Sequence, residues 1–308
     1  MEHEQKFFKS EAIMYDLVMC IVSEGLGKAG CATEASLAGE FATASREYAA
    51  AAGIFQFLAE DHLPKWIARG SHTDESELPV ECNVPTAEGL KMLFMANGQQ
   101  MAVATVLIKP GTPNYSLVAK LCLGIVETLN EFVNHMRDHA FQLMTRMDKD
   151  FFTLVTFQIQ LQKSLSLYFF ARSLFEQKHQ YGLAIAVLSE ATVALKTRSS
   201  AASEGIPDVA SIAALRALNK DLTDLRSHMA LLLKTWEKDN SAIYFERVPQ
   251  SVPADQKLEQ GVRLSKADKY NITNVEPVLL ALPEKLLERS DSDLARELQE
   301  KLNAGAED

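Results

Sequence analysis

Apolar residues recur at helical spacing through most of the first 240 residues, and this pattern limits the fold more than any other feature. Between residues 10 and 26, isoleucine and leucine return every fourth position, and a second such stripe is formed by Leu117, Leu121, Ile125 and Leu129. This spacing places apolar side chains on one helix face, which must be buried against another helix. The sequence therefore predicts an all-α protein held together by helix-on-helix packing.

Glycine, proline and capping residues mark the predicted helix ends. Gly25, Gly27 and Gly30 are expected to end the first helix, and Thr33 to cap a second one that runs to about Leu58 or Trp66. Residues 71–85 are acidic and interrupted by proline, so we predict an exposed loop there. Further helices are predicted over residues 86–109, 114–137, 150–178, 181–198 and 208–238.

The connections between these helices indicate how the helices are arranged. The break at residues 110–113 is short, and a short connection makes its two flanking helices antiparallel neighbours. No strict repeat is present, although the helix from Tyr181 has the alternation of small and large residues seen in a tetratricopeptide helix. We therefore expect a layered antiparallel helix array with a solenoid-like core.

The character of the chain changes after Asp239. Prolines at 249, 253, 277 and 283 prevent another long helix, and we expect an extended segment from Ile243 to Asn274 that wraps over the helices. Tyr244 is expected to anchor this segment by burial and Arg247 by hydrogen bonds. A short helix is predicted over residues 291–302. The whole chain is thus interpreted as one domain, residues 1–308, with a helical core to residue 240 and a wrap from residue 241.

Charge and cysteine usage limit the classes of partner. The formal net charge is −10 and no block of Lys or Arg longer than a pair occurs, which disfavours direct binding of nucleic acid or anionic membranes. No apolar run is long enough for a membrane span, and the four cysteines are widely spaced. We expect a cytoplasmic protein with reduced, mostly buried thiols, whose contact with membranes is indirect and made through partners.

Three patterns bear on enzyme chemistry. Residues 25–30 match G-x-G-x-x-G, but they follow a helix and no strand surrounds them, so a helix terminator is favoured over a cofactor loop. His135 and His139 are spaced as two zinc ligands would be, but no third ligand is evident. Cys31 and Cys122 are the candidate nucleophiles, without local support. We expect no cofactor, no metal and no enzyme activity, while a site assembled from distant residues stays open.

One long segment resembles a known family. Residues 238–249 read Lys-Asp-Asn-Ser-Ala-Ile-Tyr-Phe-Glu-Arg-Val-Pro, and this stretch is similar to the one that ends the helical core of Bro domains. Gly182 lies in a second similar stretch, Tyr-Gly-x-x-Ile-Ala-x-Leu. Two further anchors fall in the family's order, at residues 96–100 and 11–21.

The resemblance implies a function and a site. Bro domains are non-catalytic adaptors that receive the C-terminal amphipathic helix of an ESCRT-III subunit in a groove, in endosomal sorting, which adds recruitment to endosomes to the expected location. The two aliphatic groove positions fall on Leu117 and Leu121. The third, an aromatic residue in the family, falls on Ala102, where Met101 or Val103 would have to fill the gap.

Alternatives remain for both the site and the partner. If the two leucines line an exposed patch, Leu121→Asp should remove binding and leave the fold intact, whereas both leucines could instead be ordinary core residues. The departure at Ala102 also leaves room for a different protein partner, such as a small GTPase or a receptor tail.

Overall fold

The computed structural model describes residues 13–68, 78–148, 150–197, 205–208 and 212–272. These residues form α-helices and short π and 3-10 turns but no β-strand, which confirms the all-α prediction. The long helices are α1 (Ile13–Leu37), α2 (Phe41–Phe57), α4 (Val84–Leu107), α5 (Tyr115–His139), α7 (Phe151–Arg172), α8 (Tyr181–Ala194) and α9 (Asn219–Asp239). Two short helices, α3 (Leu63–Ala68) and α6 (Phe141–Met144), lie between them.

The helices pack in chain order. The main contacts join α1 to α2, α2 to α4, α4 to α5, α5 to α7, α7 to α8 and α8 to α9. One core cluster lies between α1, α2 and the start of α4, and a larger one extends from α4 to α9. The aromatic and leucine run of α7, including Tyr168, Phe169 and Phe170, belongs to this larger core, as its helical spacing predicts. This layered order places α2, α4, α5, α7 and α8 each between two neighbouring long helices, with α1 and α9 at the two ends.

The chain divides into two compact units, residues 1–270 and 271–308. Of the second, only residues 271 and 272 are described, so the predicted helix over residues 291–302 lies outside the described residues.

The predicted end of the first helix is wrong. The helix α1 continues through Gly25, Gly27 and Gly30 to Leu37, so these glycines form neither a helix terminator nor a cofactor loop. A glycine inside a helix costs about 1 kcal/mol, but burial against α2 offsets it, and a side chain at Gly25 would meet the ring of Phe55. The chain instead breaks at Gly39, which has a positive φ of 80°.

Thr33 does not cap a helix. It lies inside α1, where its hydroxyl group is 3.0 Å from the carbonyl oxygen of Ala29 and 3.1 Å from the hydroxyl group of Tyr48. The contact with Tyr48 joins α1 to α2, so the residue links two helices within the body.

Several other boundaries are close to the prediction, but α9 begins at Asn219, after a 3-10 turn at Ala213–Leu218, and not at residue 208. The helices α4, α5, α7 and α8 begin within two residues of the expected positions. The loop predicted to be exposed is described only from Leu78 onward, where Leu78 and Cys82 are buried instead and a 3-10 turn at Val80–Cys82 leads into α4. The extended segment begins later than predicted, because Ile243 and Tyr244 belong to a π turn at Asn240–Tyr244. Phe245 then adopts the left-handed conformation, with φ of 54°, and the chain leaves the helix.

Candidate partner-binding surface

The segment of residues 246–270, called here the strap, crosses the helices where glycine allows its backbone to approach. Added side chains at Gly182 in α8, Gly124 in α5 and Gly53 in α2 would clash with the backbone of Arg247, Val262 and Asp268 respectively. The amide of Val262 donates to the carbonyl oxygen of Lys120 at 2.9 Å, and the amide of Asp268 donates to that of Ala49 at 3.1 Å. The three glycines therefore set the path of the strap.

Charged side chains hold the strap near α5. Arg263 makes two hydrogen bonds to the carboxylate of Glu131, at 2.6 and 2.8 Å. The amide of Gly261 donates to Glu127 at 2.8 Å. The hydrogen bonds to Glu131 raise the pKa of Arg263 above its usual value, as expected for a charge-assisted pair.

The start of the strap is anchored by its first residue, Glu246, and by Tyr244, which lies just before it. The Tyr244 ring is half-buried and stacks on Tyr181 with 3.5 Å between ring centroids. The Glu246 carboxylate accepts from the amide of Gly182 at 2.8 Å, near the N-terminus of α8, where backbone amides lack partners within the helix. Asn240 pairs with the backbone of Glu246 through both of its side-chain atoms, at 2.8 and 3.0 Å.

Arg247 has a different role from the one predicted. Its side chain is exposed, and its guanidinium group makes no hydrogen bond to any residue that the structure describes. The residue is fixed by its backbone, which lies against Gly182. Glu246 makes the side-chain hydrogen bond that we expected from Arg247.

Gln99 joins α4, α5 and the strap. The sequence pattern did not predict this role. Gln99 is 3% exposed, and its amide nitrogen donates to the carbonyl oxygens of Leu121 at 2.7 Å and Val262 at 2.9 Å. Its amide oxygen accepts from the amide of Leu264 at 3.0 Å. Gln99 lies in the segment of residues 96–100 that carries part of the resemblance, so the same stretch that marks the family also holds the strap.

We expect Gln99→Leu to lower the free energy of unfolding by about 2–3 kcal/mol, because the carbonyl of Val262 and the amide of Leu264 lose their partner. Chemical denaturation followed by circular dichroism measures the change. Gln142→Leu, at an exposed position on α6, is the control and should change stability little. Equal stability of both variants would show that Gln99 does not hold the strap.

The structure separates the two leucines that the sequence pairs. Leu117, in the first turn of α5, is 41% exposed, whereas Leu121 is 0% exposed and belongs to the larger core. Leu121 therefore cannot touch a partner in this conformation, and the expectation of an exposed patch holds only for Leu117. In the structure Leu121 is an ordinary core residue, as the alternative interpretation proposed.

The three candidates on α4 also differ in exposure. Val103 is buried in the larger core, while Met101 and Ala102 are half-buried. Two further apolar side chains, Leu107 and Ile108, are exposed where α4 ends, at the same end of the α4–α5 pair as Leu117. At this end of the α4–α5 pair, Leu117, Leu107 and Ile108 are thus exposed, and Met101 and Ala102, farther along α4, are partly accessible.

The candidate catalytic and metal-binding residues have other contacts. The Nε2 atom of His135 lies 2.9 Å from the carbonyl oxygen of Pro85 and 3.4 Å from the carboxylate of Glu88. No group of three or more His, Cys, Asp or Glu side chains among the described residues is placed to hold a metal ion. Burial raises the pKa of the Cys122 thiol to about 12, which disfavours the thiolate that a nucleophile needs.

The prediction for the cysteines is correct only in part. Cys82 and Cys122 are buried free thiols, whereas Cys20 and Cys31 are exposed.

Among the helices that the structure describes, none is long and apolar enough to span a membrane.

Comparison with protein families identifies the class of the chain. The model of the BRO1-like domain matches residues 11–289, so the chain belongs to the BRO1-like domain family. A search of curated proteins finds no match.

Solved structures show the same fold at low identity. The BRO1 domain of ALIX in complex with CHMP4C matches with a TM-score of 0.67 and 18% identity, covering 85% of this chain and 65% of that chain. ALIX in complex with the SIVmac239 PYKEVTEDL late domain matches with a TM-score of 0.67 and 17% identity, covering 88% and 36%. A Bro1 domain described in endosomal targeting matches with a TM-score of 0.66 and 18% identity, covering 87% and 66%. The chain therefore spans less than two thirds of the length of each of these structures' chains.

Proposed function

We propose that this protein is a non-catalytic adaptor that binds the C-terminal amphipathic helix of an ESCRT-III subunit. Family membership supports this function, and so does the ALIX BRO1 domain, which is similar in fold and was solved in complex with CHMP4C. On this proposal the protein acts in the cytoplasm and reaches endosomal membranes through its partners. No chemistry is required of it, since a helix in a groove is held by apolar anchors on a rigid surface.

The exposure of Leu117 is the observation that carries the proposal. The backbone amide of Leu117 donates to the side chain of Asn114 at 3.1 Å, which caps α5 and fixes the position of its first turn. Its side chain is thus presented to solvent from a rigid helix end, with Leu107 and Ile108 exposed at the same end of the pair. An exposed apolar group on a fixed backbone suits a partner helix that binds through a few aliphatic anchors.

The surface that we propose differs from the one expected from sequence. Leu117 is its main anchor, Met101 and Ala102 contribute the atoms that they expose, and Leu121 and Val103 support it from the core. Because Ala102 is small, the surface lacks the aromatic residue that the family resemblance implies.

Leu117→Asp should reduce binding of a peptide that spans the C-terminal helix of CHMP4C by tenfold or more, because a carboxylate must be desolvated against apolar partner residues. For the unaltered protein we expect micromolar affinity, about −7 to −8 kcal/mol. Titration calorimetry measures the affinity, and circular dichroism verifies the fold.

Leu231→Asp is the matched control, since Leu231 is 66% exposed on α9 and lies outside the proposed surface. This variant should bind the peptide as the unaltered protein does. Equal weakening by both substitutions, or no effect of Leu117→Asp, would move the site elsewhere. Failure of the folded, unaltered protein to bind the peptide would overturn the proposed function.

A further inference from the structure

The apolar surface at the end of the α4–α5 pair continues beyond Ala102. The helix α4 ends at Leu107 and α5 begins at Tyr115, and the residues between them, 108–114, are called here the tip. Ile108, the first residue of the tip, is 63% exposed. It lies six positions beyond Ala102, which corresponds to about 9 Å of helix, so about two turns of a partner helix would reach both residues.

Hydrogen bonds and prolines restrict the tip. The amide of Ile108 donates to the carbonyl oxygen of Ala104 at 3.1 Å, so Ile108 continues the hydrogen-bonding pattern of α4. Pro110 and Pro113 restrict the backbone further, because the proline ring fixes φ. The carbonyl oxygen of Pro113 accepts a hydrogen bond from the side chain of Gln177 at 3.3 Å, which attaches the tip to the turn after α7. An apolar side chain on a fixed backbone binds a partner without the entropic cost of ordering a loop.

The tip lies in a stretch of the chain that has no acidic residue. Residues 89–126 contain no Asp or Glu, although the chain has 41 of them among its 308 residues. Lys109, in the tip, is exposed, and no carboxylate of the described residues forms an ion pair with it. Lys120 has a different environment, since it lines a cavity together with Asp255 and Glu259 of the strap. Lys109 is therefore the cation that a partner meets at the tip.

Acidic residues on the adjoining helices do not pair with Lys109. Glu176, in the turn after α7, is held by Arg172 through two hydrogen bonds, at 2.6 and 3.1 Å. Glu40 precedes α2 and is exposed, but among the described residues it forms no ion pair with Lys109. The tip thus combines an exposed apolar side chain with an exposed positive charge.

We propose that the partner helix of this surface is acidic, and that it extends over the tip with an aliphatic side chain against Ile108 and a carboxylate beside Lys109. This inference rests on the proposed function and names the chemistry of the segment that the surface selects. The charge of the chain as a whole, −10, disfavours an acidic partner. Selection of such a partner therefore requires a local surface without acidic residues, and residues 89–126 provide one.

Two model peptides test the charge of the partner. They share one helical leucine pattern and differ only in the flanking positions, which are Glu in one peptide and Lys in the other. On net charge alone, the lysine peptide should bind more tightly to a chain with a charge of −10. We expect the opposite in titration calorimetry, with the glutamate peptide bound about fivefold more tightly and a preference that decreases as salt is added.

Exposed positions of the tip test the two contacts separately. Ile108→Asp should weaken binding of the glutamate peptide about tenfold, because it removes an apolar contact and adds a like charge. Lys109→Glu should weaken it about fivefold and strengthen binding of the lysine peptide. Lys220→Glu reverses an exposed charge at the start of α9 and is the control that should leave both affinities nearly unchanged. Circular dichroism verifies that each variant is folded.

Tighter binding of the lysine peptide, or an unchanged affinity for the glutamate peptide in Ile108→Asp and Lys109→Glu, would overturn this inference. The CHMP4C peptide separates that failure from a failure of the proposed function. Binding of the CHMP4C peptide that depends on Leu117 but not on Ile108 or Lys109 would leave the proposed function intact and remove the role of the tip. A protein that selects the glutamate peptide through the tip but does not bind the CHMP4C peptide would contradict the proposed function and keep the selection of an acidic helix.

Discussion

Gly124→Ala is expected to destabilise the protein by about 2–3 kcal/mol, although alanine favours a helix by about 1 kcal/mol over glycine. The added methyl group would clash with the carbonyl group of Val262 and come within 2.9 Å of the amide nitrogen of Gln99. Two of the three nearest atoms belong to the backbone of Val262, which cannot turn aside as a flexible side chain can, so the strap must move away from α5. Its hydrogen bonds to Lys120, Gln99 and Glu127 are then weakened together.

Two measurements on this variant give independent answers. Chemical denaturation gives the loss of stability, and limited digestion with trypsin shows whether Lys257, Arg263 and Lys266 in the strap become accessible to the protease. Gly27→Ala in α1 is the matched control, because a side chain there meets nothing within 4 Å. It should stabilise the protein by up to about 1 kcal/mol. A stabilised Gly124→Ala variant with a protected strap would contradict the role that we assign to the glycine.

Leu121→Asp is expected to cost about 3–5 kcal/mol or to prevent folding, because a carboxylate would replace a wholly buried side chain. Two effects add here. The larger core loses the apolar contacts of the leucine, and the new charge has no cation prepared to receive it. This expectation replaces the one drawn from sequence, in which the same substitution spares the fold and removes binding.

The pair Leu117→Asp and Leu121→Asp separates the two roles on one helix. The first should unfold at nearly the same denaturant concentration as the unaltered protein and lose peptide binding. The second should lose secondary structure by circular dichroism, or unfold at a much lower denaturant concentration. If Leu121→Asp folds normally, Leu121 must be accessible in a conformation other than the one described here.

The proposed partner-binding surface depends on the strap, so the stability of the strap and the affinity for the peptide should change together. The strap bonds to the carbonyl oxygen of Lys120, and Gln99 bonds to that of Leu121, one turn after Leu117. Loss of the strap should therefore loosen the first half of α5 and weaken the peptide site indirectly. Measuring peptide affinity in Gly124→Ala tests this link.

Local sequence determined which parts of the chain are helical. The starts of α4, α5, α7 and α8 were predictable within two residues, because apolar spacing and Pro or Gly breaks are local signals. The stretch of residues 238–249 was sufficient to indicate the family, and prolines after residue 248 were sufficient to predict an extended segment.

Only the tertiary structure determined which apolar residues are buried and which are exposed. Leu117 and Leu121 lie on the same helix stripe and look equivalent in sequence, but neighbouring helices bury one and leave the other exposed. The glycines of α1 would end an isolated helix, but α1 packs against α2 and stays helical at all three positions. The path of the strap depends on glycines in three different helices and on Gln99, and no local pattern joins these residues. Burial is a property of the neighbours that a side chain meets, and those neighbours come from distant parts of the chain.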